Sequence, residues 1–136
     1  MKVNPYLTFD GTCAQAFKFY ETALDGRIAM MMTFGESPMA EQATPETKNH
    51  IMHAALEVGG VTLMGSDAPK GMFSKPQGFS VSINVDDEAQ AERLFRNLSD
   101  GATVRMALQE TFWAKRFGML VDKFGIPWMV NCAKPM

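Results

Sequence analysis

Two histidines and a glutamate lie close together in the sequence and are the first candidates for chemistry. His50, His53 and Glu57 would share one face of a helix, where they could hold a metal ion. The run from Ile51 to Val58 instead predicts a strand, in which His50 and His53 point to opposite faces and His53 and Glu57 lie about 13 Å apart at ~3.3 Å per residue. A metal site is therefore disfavoured. His53 is left as a candidate catalytic base or ligand contact near neutral pH, or as a histidine bonded to a neighbouring strand.

The segments around these residues occur twice. The stretch from Asp25 to Met31 resembles that from Asp100 to Met106, and Ala54 to Val61 aligns with Met119 to Ile126. A repeat of this length indicates two copies of one supersecondary unit. Each copy predicts a strand, a helix and three further strands, which gives an α+β fold. We place the first module at residues 1–68, a linker at 69–77 and the second module at 78–136.

Composition limits the possible function classes. Of the 136 residues, 46% are hydrophobic and 21% charged, which is typical of a globular protein, and the net charge of −2 gives no reason to expect nucleic acid or an anionic membrane as partner. No apolar run reaches the ~20 residues that span a bilayer. The N-terminus predicts no secretion signal, so we expect a cytoplasmic protein. Two cysteines are too few for a disulfide framework, and the 12 methionines are expected to be mainly core residues, although Met also adapts to varied ligands.

Strand alternation divides each half into an apolar face and a mixed face. Across the Gly59-Gly60 turn, Val58 is expected to oppose Val61, which places His53 and Met64 together on the mixed face. In the last hairpin we assign Met119, Val121, Ile126, Trp128 and Val130 to the apolar face, and Gly118, Leu120, Asp122, Pro127, Met129 and Asn131 to the mixed face. A mixed face suits a concave small-molecule site, and the alternative is a sheet surface covered by water.

Several stretches resemble one family. The chain is similar to the PhnB-like branch of the vicinal oxygen chelate superfamily, which includes glyoxalase I, fosfomycin and bleomycin resistance proteins and extradiol dioxygenases. The similar stretches are Pro5 to Gly11, Ala16 to Tyr20, Met52 to Ala54, Asp86-Asp87 and, most specifically, Thr111 to Trp128. The resemblance covers nearly the whole chain. It implies two βαβββ modules that form a cupped mixed/antiparallel sheet with the helices on its convex side, and it implies a homodimer.

The same resemblance bears on cofactors. In metal-using relatives, the first and last strands of each module supply His, Gln or Glu ligands, and these positions fall near Asn4, Met64, Ser80 and Met129, within one residue on the two first strands. Thioether and hydroxyl groups bind Zn²⁺, Ni²⁺, Mn²⁺ or Fe²⁺ less well than imidazole and carboxylate do. We therefore expect no metal and no other cofactor. Members of this branch often carry a ubiquinone-pathway methyltransferase label, but the sequence has no glycine-rich loop between a strand and a helix.

Other side chains are candidates for ligand contact. Tyr6 and Phe34 could stack on a flat ligand or fill the cleft, and Trp113 could close over the ligand or plug a contact between modules or subunits. Arg105 could hold a carboxylate or phosphate, although we favour a salt bridge from it to Glu57, Asp122 or Glu110. The candidate ligand-binding residues are Tyr6, Phe34, His53, Met64, Ser80, Arg105, Trp113 and Met129.

Two function classes follow from these residues. The first is a metal-free protein that binds a small organic molecule, as bleomycin-type resistance proteins do. The second is an enzyme of lyase, transferase or dioxygenase type that uses His53, with or without a metal ion, on a small polar metabolite. The residue types at the four inferred ligand positions favour the binding protein.

Overall fold

The computed structural model describes residues 1–135. The chain divides into two compact units between Ser74 and Lys75. This boundary lies inside the stretch 69–77. Each unit contains one helix and one four-stranded sheet, so the α+β class and the βαβββ order are confirmed. No helix within residues 1–135 is long and apolar enough to cross a membrane.

Unit 1 has a sheet of order β1-β4-β3-β2, in which β1 runs parallel to β4 and the other neighbours are antiparallel. Unit 2 has the same plan, with the order β5-β8-β7-β6 and β5 parallel to β8. The elements of unit 1 are β1 (Tyr6–Phe9), α1 (Cys13–Ala23), β2 (Arg27–Thr33), β3 (Ile51–Val58) and β4 (Val61–Asp67). The elements of unit 2 are β5 (Val81–Val85), α2 (Glu88–Leu98), β6 (Thr103–Gln109), β7 (Ala114–Val121) and β8 (Pro127–Ala133).

Each helix packs on one face of its own sheet and leaves the other face, here called the open face, uncovered by that helix. In unit 1 the apolar side of α1, including Phe17 and Tyr20, is buried together with Ala54 and Leu56 of β3. The packing is close, since a Cβ atom at Gly65 would lie 2.8 Å from the ring of Phe17. The predicted apolar face of the first hairpin is therefore confirmed at its centre, and His53 lies on the open face.

The face assignment of β7 was wrong. The register pairs Val121 with Pro127 and Leu120 with Trp128, so Leu120 packs with buried Trp128 under α2, while Met119 and Val121 lie on the open face. Gly118 also faces α2, because a Cβ atom there would lie 2.7 Å from the ring of Phe95.

The cause of this error is the turn between β7 and β8, which is longer than the Gly59-Gly60 turn. The carboxylate of Asp122 accepts hydrogen bonds from the backbone N–H groups of Phe124 (2.8 Å) and Ile126 (3.0 Å) and from the indole of Trp128 (2.8 Å). These bonds make residues 122–126 the connection between β7 and β8. They shift the pairing register of β7 by one residue relative to that of the first hairpin. A shift of one residue moves every side chain of a strand to the other face.

A second buried carboxylate joins three elements of unit 1. Asp67, 2% exposed at the end of β4, accepts hydrogen bonds from the backbone N–H of Cys13 (3.0 Å) and from that of Ile51 (2.8 Å). Cys13 begins α1, where the helix dipole favours a negative charge. Burial, with a further contribution from the Asp67 carboxylate, raises the pKa of the Cys13 thiol to about 12, so this thiol stays neutral and is no nucleophile.

We expect Asp67→Ala to lower the free energy of unfolding by about 2–6 kcal/mol, because two buried N–H groups would lose their acceptor at ~1–3 kcal/mol each. Urea denaturation at pH 7 measures this loss. Asp86→Ala serves as the matched control, since Asp86 is exposed and precedes α2. Equal stability of the two variants would show that the Asp67 carboxylate does not hold the unit together.

Candidate functional site

The open face of unit 1 carries rows of neighbouring side chains that run across the four strands. Tyr6 pairs with Met64, Met64 with Ala55, and Ala55 with Met30, so these residues share one face. In the next row, Met32 pairs with His53. The structure therefore brings together three predicted site residues, Tyr6, His53 and Met64, on one surface.

Tyr6 and His53 form the polar centre of this surface. The Tyr6 hydroxyl lies 3.4 Å from Nδ1 of His53, at the long end of hydrogen-bond distances, and the ring centroids are 5.8 Å apart. Tyr6 is 47% exposed and His53 is partly buried. A phenol and an imidazole at this separation can each donate to, or accept from, a molecule placed against them.

The open face of unit 2 has rows in the same places with different residues. Ser82 pairs with Met129, Met129 with Met119, and Met119 with Met106. In the next row, the Asn131 amide donates to the Asn84 side-chain oxygen at 3.2 Å. Oδ1 of Asn131 is buried and has no hydrogen-bond partner within residues 1–135, which leaves an acceptor for a water or a ligand.

A cavity of about 180 Å³ lies at the start of unit 2, and it is lined by Ser80 and Arg105 together with Lys75, Phe79 and Met119. Two of the predicted site residues, Ser80 and Arg105, therefore share one cavity. Its volume is below the ~300–1,000 Å³ of drug-sized sites, so it fits a small group such as a carboxylate or phosphate rather than a whole ligand.

The predicted salt bridge of Arg105 is wrong. Glu57 pairs with Arg27, Glu110 pairs with Lys134 at 2.9 Å, and the carboxylate of Asp122 is bonded inside its own turn. Neither Arg105 nor Lys75 has an ion-pair partner in the described part of the chain. The cavity is thus bordered by two cations whose charge is not neutralised by a neighbouring carboxylate.

Trp113 and Phe34 lie elsewhere. Trp113, 43% exposed and directly before β7, packs edge-on against Phe117 at 5.2 Å and against Phe112 at 4.8 Å. It covers Phe117, which shares the open face with Asn131 and is nearly buried. Phe34 follows β2 and lines another cavity, of about 460 Å³ within unit 1, together with His50.

The sequence placed the superfamily's metal-ligand positions near Asn4, Met64, Ser80 and Met129, but the strand register puts Tyr6 and Ser82, two residues further on, beside the two methionines. The side-chain amide of Asn4 donates to the Thr62 carbonyl at 3.0 Å. Thioethers with a phenol or a hydroxyl are a poor donor set for Zn²⁺ or Fe²⁺. Within residues 1–135, no group of three or more His, Cys, Asp or Glu side chains is arranged to hold a metal ion.

The expectation that methionines are mainly core residues was wrong. Eleven of the 12 methionines fall within residues 1–135, and none of these eleven is among the fully buried residues. Those on the open faces are Met30, Met32, Met64, Met106, Met119 and Met129. Flexible thioether side chains adapt to ligands of different shape, so these rows favour contact with the apolar part of an organic molecule.

Sequence reasoning missed several residues that border the two cavities. Met119 was assigned to the wrong face, and Lys75 was treated as part of a linker. His50 was considered only as a metal ligand, although it lines the larger cavity. The aspartate at the start of the last turn was the available signal for Met119, because Asp side chains commonly bond to the backbone two residues on and define turns.

Comparisons of sequence and of structure with known proteins agree on one family. A family model described as 3-demethylubiquinone-9 3-methyltransferase matches residues 1–131. Protein YjdN of Escherichia coli (strain K12) is 34% identical, over 98% of this chain and 97% of its own length. The crystal structure of protein PA1353 from Pseudomonas aeruginosa is 44% identical, covers 99% of both chains and superimposes with a TM-score of 0.90.

More distant structures share the fold. The PhnB protein from Bacillus cereus is 24% identical with a TM-score of 0.82, over 98% of this chain and 100% of that one. Solved glyoxalase/bleomycin resistance protein/dioxygenase structures from Frankia and Burkholderia phytofirmans are 14% identical with TM-scores of 0.65, and they cover 97% and 96% of this chain. At this identity the likeness shows the fold alone.

Proposed function

Because the chain belongs to the family described as 3-demethylubiquinone-9 3-methyltransferase, the PhnB-like branch of the vicinal oxygen chelate superfamily, we propose that it binds a small organic anion without a metal ion. The observation that carries the proposal is the cavity of about 180 Å³ lined by Ser80, Arg105 and Lys75, with Met119 of the methionine row at its wall. The cations bind the charged group of the ligand, and the thioethers contact its apolar part.

A nucleotide-type cofactor loop would support the methyltransferase description of the family, but neither strand-to-helix connection within residues 1–135 is such a loop. Such loops are rich in glycine and connect a strand to a helix, so that backbone N–H groups approach the cofactor. Here the two strand-to-helix connections, residues 10–12 and 86–87, contain one glycine between them, Gly11.

The first test concerns the metal. A divalent ion present at a free concentration of about 100 times its Kd would stabilise the fold by ~2.7 kcal/mol and raise the Tm by roughly 10 °C. We expect no shift when Zn²⁺, Ni²⁺, Mn²⁺ or Fe²⁺ is added to the metal-stripped protein, because no three His, Cys, Asp or Glu side chains within residues 1–135 converge on one point, and thioethers and hydroxyls are weak ligands.

The alternative function, an enzyme that uses His53, is favoured by the contact between His53 and the Tyr6 hydroxyl. Activity assays on the metal-stripped protein, with and without added metal ions, decide between the two functions. Turnover of a glyoxalase- or fosfomycin-type substrate that His53→Ala abolishes, with or without one of the four metals, would replace the binding proposal. In the binding protein, neither the native chain nor His53→Ala turns over these substrates.

The second test concerns the anion. Phenyl phosphate, which combines an anionic group with an apolar ring, should bind, and Arg105→Ala should weaken its affinity by at least about tenfold because a charge-assisted hydrogen bond is lost. Isothermal titration calorimetry at low salt measures both affinities. Arg96→Ala in α2 is the matched control, since it removes the same charge outside the cavity. Equal losses in the two variants would mean that only net charge attracts the ligand.

We further propose a homodimer. Strands β2 and β6 are sheet edges, and their exposed apolar residues include Met30, Val104 and Met106. Exposed apolar edge strands are commonly covered by another chain. Light scattering should give a mass of about twice 15.1 kDa, and Val104→Lys should lower it while Thr22→Lys on the surface of α1 should not. A native mass of one chain would refute the dimer.

A further inference from the structure

We propose that unit 1 contains a separate small-molecule site, the cavity under the loop between β2 and β3, which binds a flat aromatic molecule bearing one hydrogen-bonding group. The cavity has a volume of about 460 Å³, within the ~300–1,000 Å³ typical of ligand sites. Its apolar walls come from the loop and from the segment that follows β4, namely Phe34, Met39, Ala43, Pro45, Ala68 and Pro69. Walls of this kind bury the rings of an aromatic molecule.

His50 supplies the specific polar contact. Its ring lies against Gly11, where an added Cβ atom would be only 3.2 Å from Nε2. Gly11 has a φ of +86°, so this position favours glycine for its backbone as well as for space. The imidazole of His50 has no hydrogen-bond partner in the described part of the chain, although the residue is half-buried. A ligand in the cavity can therefore donate to the ring or accept from it.

The charged groups at the cavity do not select a charged ligand. Lys70 and Glu46 both line it, both are exposed, and neither has an ion-pair partner within residues 1–135. Because their formal charges cancel, the cavity favours a neutral molecule. This separates it chemically from the cavity with Arg105 and Lys75 in unit 2.

The cavity is held open by hydrogen bonds within the loop. Its two ends are joined, since the Phe34 N–H donates to the His50 carbonyl and the Gly35 N–H to the Lys48 carbonyl, each at 2.9 Å. Thr44 and Thr47 bond each other reciprocally, with the Thr44 N–H 2.9 Å from the Thr47 hydroxyl. A frame formed before the ligand arrives reduces the ordering entropy that binding costs.

The entrance to the loop is fixed by a capping box between Thr33 and Glu36. Hydrogen bonds from the Thr33 backbone and hydroxyl lower the pKa of the Glu36 carboxyl below its ordinary 4.5. A carboxyl whose pKa is lower in the folded state stabilises that state above its ordinary pKa and loses this effect as the pH falls through the lowered value. The loop is therefore fully capped at neutral pH.

The test is a titration of the ¹⁵N-labelled full chain with 2-naphthol at pH 7, followed by amide chemical shifts. A ligand of this size is expected to bind with a Kd on the order of 0.1–1 mM. The shifts should be confined to residues 34–50 and 68–70 and to Gly11. Ala68→Phe and, independently, Ala43→Phe fill the cavity and should weaken binding at least tenfold, while Ala89→Phe on the exposed side of α2 should leave it unchanged.

Two further measurements sharpen the result. His50→Phe keeps the ring shape without the nitrogens and should weaken binding by roughly threefold to tenfold, as expected for one hydrogen bond. Saturation with phenyl phosphate should leave the 2-naphthol shifts in place, so this site stands or falls separately from the anion site. Shifts that appear only on the open faces, or that persist in both filled variants, would overturn the proposal.

Discussion

The structure of unit 1 depends on one buried carboxylate. Asp67 binds the backbone N–H groups at the start of α1 and at the start of β3, and so it fixes where both elements begin relative to the end of β4. Because strand side chains alternate, the starting point of β3 decides that Ala54 and Leu56 face the helix and that His53 faces away from it. It also holds Ile51 beside the β4 end, which brings the neighbouring His50 to the cavity under the loop.

In unit 2 a buried carboxylate defines a turn instead of joining separate elements, and this is the main structural difference between the two copies. Asp122 closes the turn after β7 on itself, with two backbone N–H groups and the indole of Trp128 as donors. The first hairpin instead turns through two glycines, both with positive φ, and needs no side chain to define it. The longer turn moves Met119 onto the open face and Leu120 into the core, so a duplicated backbone carries different chemistry.

The fold was largely predictable from the sequence, because it rests on local signals that a single stretch of chain contains. The Gly59-Gly60 turn, the Asp87 cap of α2 and the apolar spacing of Ala91, Leu94, Phe95 and Leu98 each indicate their own element. The candidate site was less predictable, since it depends on which partner each charged group finds. Glu57 and Glu110 were available to Arg105 by residue type, but the fold places Arg27 and Lys134 beside them, and that outcome follows from strand register and not from spacing.

The divergence of the two open faces bears on the proposed function. Metal sites of the superfamily need several imidazoles or carboxylates that converge on one point, and such a set is lost when any of its members is replaced. A binding surface has no such requirement, because thioethers contribute contact area independently and adapt to shape. Both open faces carry rows of methionine, while their polar groups differ, with Tyr6 and His53 in one unit and Asn84 and Asn131 in the other. The cavity in unit 2 is bordered by Arg105 and Lys75, which have no ion-pair partner among the described residues, whereas the cavity in unit 1 is bordered by one lysine and one glutamate. The binding proposed here requires only affinity for a ground state, which a few charges and many adaptable contacts can supply, whereas catalysis requires groups placed for a transition state.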